Sequence, residues 1–257
     1  MLLVKNEVNK GICLNFEYAA SLAHGDLVFS FGGDDISRPD RVAQVYAEWT
    51  HSQCAAIACG GRLINTNSEI FGDIGREVML GPPVGAFVAY DKRVFSEFPP
   101  LGKDICAETY EDCVYGGRAK MLSGVKYLDS KLVDYRIGSG KSTSGSVRLR
   151  RIKIIKASKS AYDQLIQDAK FLAVRGYADA NSKIEQYEKE QKKLSAELLL
   201  VSGRTFRIRL HGYCTYGFNA CSWRFRVYGM IFLLPLNLCD MLLFLYGFIV
   251  RSGKIKV

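Results

Sequence analysis

An apolar run that ends in glycines and two adjacent carboxylates constrains this chain more than any other stretch. Residues 27–31 have the composition of a buried parallel strand, and Gly33, Asp34 and Asp35 follow almost directly. The carboxyl ends of strands in open α/β sheets are where ligands bind. Adjacent ionised carboxylates repel each other, so Mg²⁺ or Mn²⁺ beside a phosphate would stabilise them. The same residues are also typical of a turn and helix cap, and the segment alone does not decide between these interpretations.

The N-terminal half alternates between helix-like and strand-like patterns, which predicts an α/β fold. Glycine is frequent between residues 60 and 82, so we expect a loop or hairpin there, near the site. The alternation of residues 125–128 and 132–136 is typical of edge strands. Helices are predicted at about 12–23 and 39–51, and a third helix is predicted to end near residue 124. Strands are predicted at 27–31 and 55–59.

Two further stretches contain candidate site residues. Gly85 and Ala86 bring small side chains to a short apolar run, as where backbone must approach a ligand closely, although a tight turn into a strand explains them equally. Glu111 and Asp112 begin a helical stretch, with Arg118 six residues after Asp112. Carboxylates at a helix start are favoured by the helix dipole, so an ordinary helix start is the alternative interpretation.

The order of these short motifs resembles the second half of a family 2 glycosyltransferase of the GT-A fold. The resemblance covers about residues 5–143. It implies a Rossmann-like, nucleotide-diphospho-sugar transferase fold over residues 1–145, followed by a helical C-terminal region over 146–257. The motifs are Asn9-x-Gly11, Gly25-Asp26, Asp34-Asp35 with Pro39-Asp40-Arg41, Gly85-Ala86, Glu111-Asp112 with Arg118, Tyr127-Leu128-Asp129 and Tyr135-Arg136.

The resemblance implies an inverting transfer of a sugar from a nucleotide-diphosphate sugar to a hydroxyl of a saccharide or lipid-linked acceptor. Such a reaction would serve cell-surface polysaccharide or glycolipid synthesis. By analogy, Asp34 and Asp35 would hold a divalent metal, Mg²⁺ or Mn²⁺, with Asp35 as the first choice of ligand. This chain departs from the family pattern at Gly32, where an acidic residue is usual.

The later acidic pair has a different implied role. Asp112 matches the family's general base, which would take the proton of the acceptor hydroxyl, and Glu111 lies beside it. The donor- and acceptor-binding residues that the resemblance implies are Gly33, Gly85, Ala86 and Arg118.

The family's first nucleotide-binding half is expected to be mostly missing. Family members begin with βαβ units of about 30 residues each, whereas Asn9 follows almost directly after Met1. We therefore expect an exposed sheet edge that is unstable or needs a partner, and little or no transferase activity from this chain alone. The alternative function is a membrane-associated, non-catalytic interaction module that keeps the fold. A metal-dependent hydrolase is disfavoured because no nucleophile motif accompanies the carboxylates.

The basic character of the chain lies in its C-terminal part. Of the 35 lysines and arginines, 21 lie beyond residue 139, with only 8 of the 26 acidic residues. No arginine-rich arm, RNA-binding aromatic motif or zinc finger accompanies them, so we expect an anionic membrane surface and no nucleic acid as partner. Helices are predicted at 148–173 and 181–201.

An apolar segment at 228–250 is predicted to associate with a membrane. It is long enough to span a bilayer, but Asp240 lies near its middle and Pro235 interrupts it. An interfacial or re-entrant hairpin is the preferred interpretation, a single span the second, and a buried helix pair the third.

The cysteines and the N-terminus favour a cytoplasmic protein. None of the eight cysteines forms a C-x-x-C pair, so neither a zinc site nor a redox motif is indicated, and scattered thiols suit a reducing compartment. The opening apolar run is too short for a signal peptide. We therefore expect a cytoplasmic location, with membrane association at the cytoplasmic face.

Overall fold

The computed structural model is a mixed α/β structure that describes residues 3–76, 85–102, 105, 109–137, 146–219, 229–235, 238–239 and 241–242. The chain divides into two compact units. The first comprises Met1–Gly140 with Ser160–Glu185, and the second comprises Lys141–Lys159 with Gln186–Val257. This division differs from the predicted one at 145/146, because residues 160–185 belong to the first unit.

The elements follow the predicted alternation over most of the first unit. The helices are α1 (Gly11–Ser21), α2 (Arg41–Ser52), α3 (Arg93–Ser96), α4 (Glu111–Met121), α5 (Val147–Val174), α6 (Ala180–Ser202) and α7 (Phe206–Asn219). The strands are β1 (Leu27–Phe29), β2 (Ile36–Ser37), β3 (Ala56–Ile64), β4 (Ile70–Ile74), β5 (Val88–Asp91) and β6 (Val125–Arg136), with a 3-10 turn at Gly85–Phe87. Helices α5 and α6 contribute residues to both units.

The six strands form one sheet in the order β1-β5-β3-β6-β2, with β4 paired to β3. Strands β3 and β6 are parallel, whereas β5 runs antiparallel to both β1 and β3. The prediction of a buried parallel strand at 27–31 was therefore wrong in two respects: β1 pairs antiparallel with β5, and its three residues are only half-buried. It nevertheless runs in the same direction as β3 and β6, so these three strands end on the same side of the sheet.

The glycine-rich region after residue 60 begins as a hairpin. Gly61 lies inside β3, where a Cβ would come within 2.6 Å of the carbonyl oxygen of Val133 on β6. Glycine at position 61 thus marks a close approach of β3 and β6 and not a break in the strand.

The prediction of edge strands at 125–136 was wrong, because β6 is a single strand between β3 and β2.

Helices cover both faces of the sheet. Ala56 and Ala58 pack in one cluster with Cys13 of α1 and Val114 of α4, while the alternate residue Ile57 packs in another cluster with Val45 of α2. This alternation follows from the two-residue period of a strand. The sheet is therefore buried on two faces, and the polar residues that follow its strands lie at its ends.

The second unit has its own hydrophobic cluster. Ile155 of α5 and Leu200 of α6 are buried there together with Phe232 and Cys239. These last two belong to the apolar segment 228–250, most of which lies outside the described residues. Within the part of the chain that is described, no helix is both long and apolar enough to cross a membrane.

Candidate active site

The candidate site lies where β1 and β6 end on the same side of the sheet. The loop after β1 contains Asp34 and Asp35, and the last residues of β6 are Tyr135 and Arg136. Short strand β2 follows the acidic loop and pairs with β6, placing Ile36 opposite Asp134. This pairing holds the acidic loop against the end of β6.

Arg136, at the end of β6, forms hydrogen bonds with the acidic loop and with the turn between β3 and β4. Its backbone N–H donates to Oδ1 of Asp35 at 2.9 Å, and its Nε donates to the carbonyl oxygen of Asp34 at 2.9 Å. Its Nη1 donates to the carbonyl oxygens of Asn65 (2.8 Å) and Thr66 (3.0 Å) in the turn between β3 and β4. The motif Tyr135-Arg136 did not by itself predict a role for Arg136 in the site.

The two carboxylates of the acidic loop differ in environment. Asp34 is exposed, whereas Asp35 is half-buried. Burial raises the pKa of Asp35 above its usual value, and the charge of Asp34 adds to this, while the N–H group of Arg136 opposes it. Gly33 in the same loop is exposed and has open space where a Cβ would stand. The loop therefore leaves room for a ligand beside Asp34 and Asp35.

Gly85 connects this region to the second acidic pair. Its N–H donates to Oδ2 of Asp112 at 3.1 Å, and a Cβ at this position would overlap the Glu111 carboxylate and lie 3.6 Å from Oγ of Ser30. Of the alternatives left open for Gly85 and Ala86, the structure shows the tight turn into a strand, because the 3-10 turn Gly85–Phe87 runs directly into β5. The close approach of backbone to a ligand stays a prediction, and the described group next to Gly85 is the start of α4.

Buried Arg41 is a second connection that sequence analysis did not assign to the site. Its Nη2 donates to the carbonyl oxygens of Ser30 (3.3 Å) and Ala86 (2.9 Å), and only 2% of the residue is exposed. Burial lowers the pKa of Arg41, and the charge of Asp35 opposes this. Arg41 therefore ties the end of β1 to the 3-10 turn, and its position within Pro39-Asp40-Arg41 was the sequence signal for it.

Glu111 and Asp112 occupy the first turn of α4. Burial raises the pKa of both carboxyl groups, and the charge of Asp112 raises that of Glu111 further. The N–H group of Gly85 and the thiol of Cys113 act in the opposite direction on Asp112. A carboxylate with a raised pKa holds a proton more strongly, which suits it to accept one from a weakly acidic hydroxyl.

The phenol of Tyr135 is influenced by carboxylates of both acidic segments. Burial is the main cause of the raised pKa of its phenol, and the charges of Asp35, Asp34 and Asp112 raise it further. Carboxylates from both acidic segments therefore act electrostatically on one side chain at the end of β6.

Arg118 does not join this group. Its guanidinium forms a buried ion pair with Asp168, with Nε 2.7 Å from Oδ2, and its Nη2 donates to the carbonyl oxygen of Pro99 at 2.9 Å. The side chain is 1% exposed. The predicted donor or acceptor contact does not fit this placement, because the charged group is already paired inside the first unit.

The acidic loop offers two carboxylates as ligands for the predicted metal ion. Among the described residues, no group of three or more His, Cys, Asp or Glu side chains could hold a metal by itself. Mg²⁺ commonly binds through one or two carboxylates together with substrate phosphates and water. Asp34 and Asp35 therefore fit an ion held jointly with a phosphate ligand, and not an ion in an all-protein cage.

Comparisons with known proteins found matches among solved structures. No protein-family model matches the chain, and no curated protein does. Among solved structures, it is similar to S. aureus TarS (residues 1–349, in complex with UDP-GlcNAc), with 13% identity and a TM-score of 0.42. The match covers 81% of this chain and 70% of that one. A likeness this distant does not assign a function, so the function proposed below rests on the residues of this chain.

Proposed function

We propose that this protein is a family 2 glycosyltransferase of the GT-A fold. It moves a sugar from a nucleotide-diphosphate sugar to a hydroxyl of a saccharide or lipid-linked acceptor, with inversion, in cell-surface polysaccharide or glycolipid synthesis. One observation carries the proposal: Arg41 connects Ser30, directly after β1, to Ala86, and the N–H group of the neighbouring Gly85 donates to Asp112 at the start of α4. Sugar transfer needs two carboxylate sites with different tasks around one reacting carbon.

The acidic loop serves the leaving group in this proposal. Asp35 and Asp34 would hold Mg²⁺ or Mn²⁺, which when bound neutralises the charge that develops on the departing diphosphate. Arg136 supports this role because it fixes both the Asp34 backbone and the Asp35 carboxylate.

The start of α4 serves the acceptor. A sugar hydroxyl is a weak acid, so Asp112 takes its proton as the new bond to the sugar forms, a contribution of typically about 10²- to 10⁴-fold in rate. The Gly85 N–H group orients the Asp112 carboxylate through the hydrogen bond at 3.1 Å. Since two neighbouring carboxylates could not act on opposite sides of one carbon, the separate origin of Asp35 and Asp112 supports this division.

Manganese binding tests the proposal separately from turnover. Electron paramagnetic resonance would measure free Mn²⁺ during titration of the chain, with and without UDP, GDP or ADP. We expect one of these diphosphates to increase Mn²⁺ binding, and Asp35→Asn to weaken that binding about tenfold or more. Asp112→Asn should keep the binding but lose any transfer, because Asp112 acts on the acceptor.

Asp73→Asn is the matched control, because Asp73 is an exposed carboxylate on β4. Equal Mn²⁺ binding by the wild-type chain and Asp35→Asn would contradict the metal role of the acidic loop. If no diphosphate increased Mn²⁺ binding in any variant, the membrane-associated, non-catalytic interaction module would be favoured instead.

A further inference from the structure

Helix α7 of the second unit exposes apolar and basic side chains next to each other. Phe206 is 56% exposed and Leu210 is 38% exposed, and their spacing of four residues places them in one row along the helix. Arg207 and His211 form the adjacent row, and both are exposed. An exposed apolar row beside a basic one is the pattern of a helix that lies at a membrane interface.

A basic cavity lies between α6 and α7 in the same unit. Its volume is about 390 Å³, and Lys189 and Lys192 of α6 line it together with His211 and Thr215 of α7. Lys189 and Lys192 are exposed, and no carboxylate is among the described residues that line the cavity. The cavity therefore suits an anionic group.

Close packing of the two helices fixes this arrangement. A Cβ at Gly212 would lie 2.8 Å from the carbonyl oxygen of Ala196, so α7 approaches α6 through a position that only glycine fits. Lys193 pairs with Glu190 at 2.6 Å, which leaves Lys189 and Lys192 as the exposed lysines of the cavity.

Helix α7 and its flanks provide no opposing charge. No aspartate or glutamate occurs between residues 198 and 239, whereas α6 carries Glu185, Glu188 and Glu190 beside its lysines. Exposed Arg204 and Arg207 give the α7 side of this surface an excess of positive charge, which attracts an anionic partner. Nucleic acid would neutralise the cations but would leave the row of Phe206 and Leu210 largely in water. A phospholipid surface satisfies both the cations and the apolar row.

We propose that this α6–α7 surface binds membranes that contain anionic phospholipids. Lys189, Lys192 and Arg207 contact the phosphate headgroups, and Phe206 and Leu210 enter the interface between headgroups and acyl chains. This binding does not depend on sugar transfer. It would hold the chain at a membrane whether or not the candidate active site is functional.

Vesicle co-sedimentation of the full chain tests this proposal. We expect binding to vesicles of phosphatidylcholine with one quarter phosphatidylglycerol, weaker binding to phosphatidylcholine alone, and loss of the difference at high salt. Each cation near an anionic surface contributes about fivefold in affinity, so Lys189→Glu with Lys192→Glu should weaken binding more than tenfold. Phe206→Ser with Leu210→Ser should also weaken it.

Matched controls separate the surface from net charge and general hydrophobicity. Lys5→Glu with Lys170→Glu changes the net charge equally at exposed positions of the first unit, and Val174→Ser removes a side chain that is 90% exposed. Both should bind like the wild-type chain. Circular dichroism would verify folding, and Lys189→Gln with Lys192→Gln would replace the glutamate variant if that variant unfolded.

Three outcomes would overturn the proposal. The first is equal binding to both vesicle types. The second is unchanged binding by the folded variant that combines Lys189→Glu with Lys192→Glu. The third is binding of a 20-nucleotide RNA that the lysine substitutions abolish while vesicle binding is unchanged, which would assign the surface to nucleic acid.

Discussion

At the scale of single residues, the candidate site consists of carboxylates in unequal environments. Asp34 is exposed, Asp35 is half-buried, and Glu111 and Asp112 have pKa values raised mainly by burial. A folded protein normally avoids such burial because the ionised form of a carboxylate loses hydration. The burial of Glu111 and Asp112 at the start of α4 therefore lowers stability, which a proton-accepting function would explain.

The raised pKa of Asp112 sets the direction of its effect on stability. In the range between the unfolded and folded pKa values, the folded chain binds more protons, so the free energy of unfolding falls as pH rises. That range begins near pH 4, the ordinary value for aspartate. Asp112→Asn keeps an oxygen for the Gly85 N–H group but cannot ionise. We expect it to raise the free energy of unfolding at pH 7 by about 1 kcal/mol.

Urea denaturation of the wild-type chain and Asp112→Asn between pH 4 and pH 8 would measure this effect. The two curves should diverge as pH rises. Asp73→Asn serves as the control and should stay within about 0.5 kcal/mol of the wild-type chain, because it changes an exposed position. A lower stability of Asp112→Asn at pH 7 would contradict the expectation.

At the scale of secondary-structure elements, one buried ion pair joins α4 to α5 within the first unit. Arg118 and Asp168 are both almost completely buried, and Nε2 of Gln164 also donates to Oδ1 of Asp168 at 2.9 Å. Arg118 thereby fixes the helix whose first turn holds Glu111 and Asp112. Its contribution to the candidate site is therefore to position α4, two turns away from the carboxylates.

Removal of either partner should destabilise the first unit strongly. Arg118→Ala leaves the Asp168 carboxylate buried without its partner, so we expect a loss of about 3–5 kcal/mol in the free energy of unfolding. The double variant Arg118→Met with Asp168→Leu should lose much less, because no unpaired charge remains. Thermal or urea denaturation would measure both.

The exposed pair of Lys131 and Asp73 is the control for this comparison. Asp73→Asn should cost no more than about 0.5 kcal/mol, because exposed pairs are hydrated and screened. If Arg118→Ala cost no more than Asp73→Asn, the ion pair would not be a determinant of how α4 is held.

At the scale of the whole molecule, charge and free thiols divide unevenly along the chain. The acidic candidate site lies in the first unit and the basic α6–α7 surface in the second.

All six described cysteines are free; Cys13, Cys59 and Cys239 are buried, whereas Cys214 on α7 is exposed. Burial raises the pKa of Cys13 to about 12, which disfavours its reactive thiolate form.

Thiol titration of the native chain should distinguish these cysteines. We expect Cys214→Ser to remove one rapidly reacting thiol in an assay with Ellman's reagent at pH 8, because reactivity needs exposure. Cys113→Ser should leave the rapid phase unchanged, since burial raises the pKa of Cys113 and slows its reaction. A rapid phase of equal size in the wild-type chain and Cys214→Ser would contradict the placement of Cys214.

Local patterns predicted most elements of the first unit because they depend on neighbouring residues. The apolar spacing of α1 and α2, the strand at 55–59 and the two acidic pairs were readable without tertiary structure. Strand pairing was not readable, because β1 could pair with any strand of similar composition. The antiparallel partner β5 lies far along the chain, beyond segment 77–84, which is outside the described residues, so no local pattern links it to β1.

The sequence by itself determined where carboxylates follow a strand or begin a helix, since period, glycine and charge are local properties. It left open whether Asp34 and Asp35 belonged to a turn or to a site, and it gave Arg118 the wrong surroundings. Tertiary structure decided that Arg136 holds the acidic loop, that Arg41 connects Ser30 to Ala86, and that Arg118 is paired with Asp168. The physical reason is that burial and ion pairing depend on residues brought together from distant parts of the chain, which no local pattern specifies.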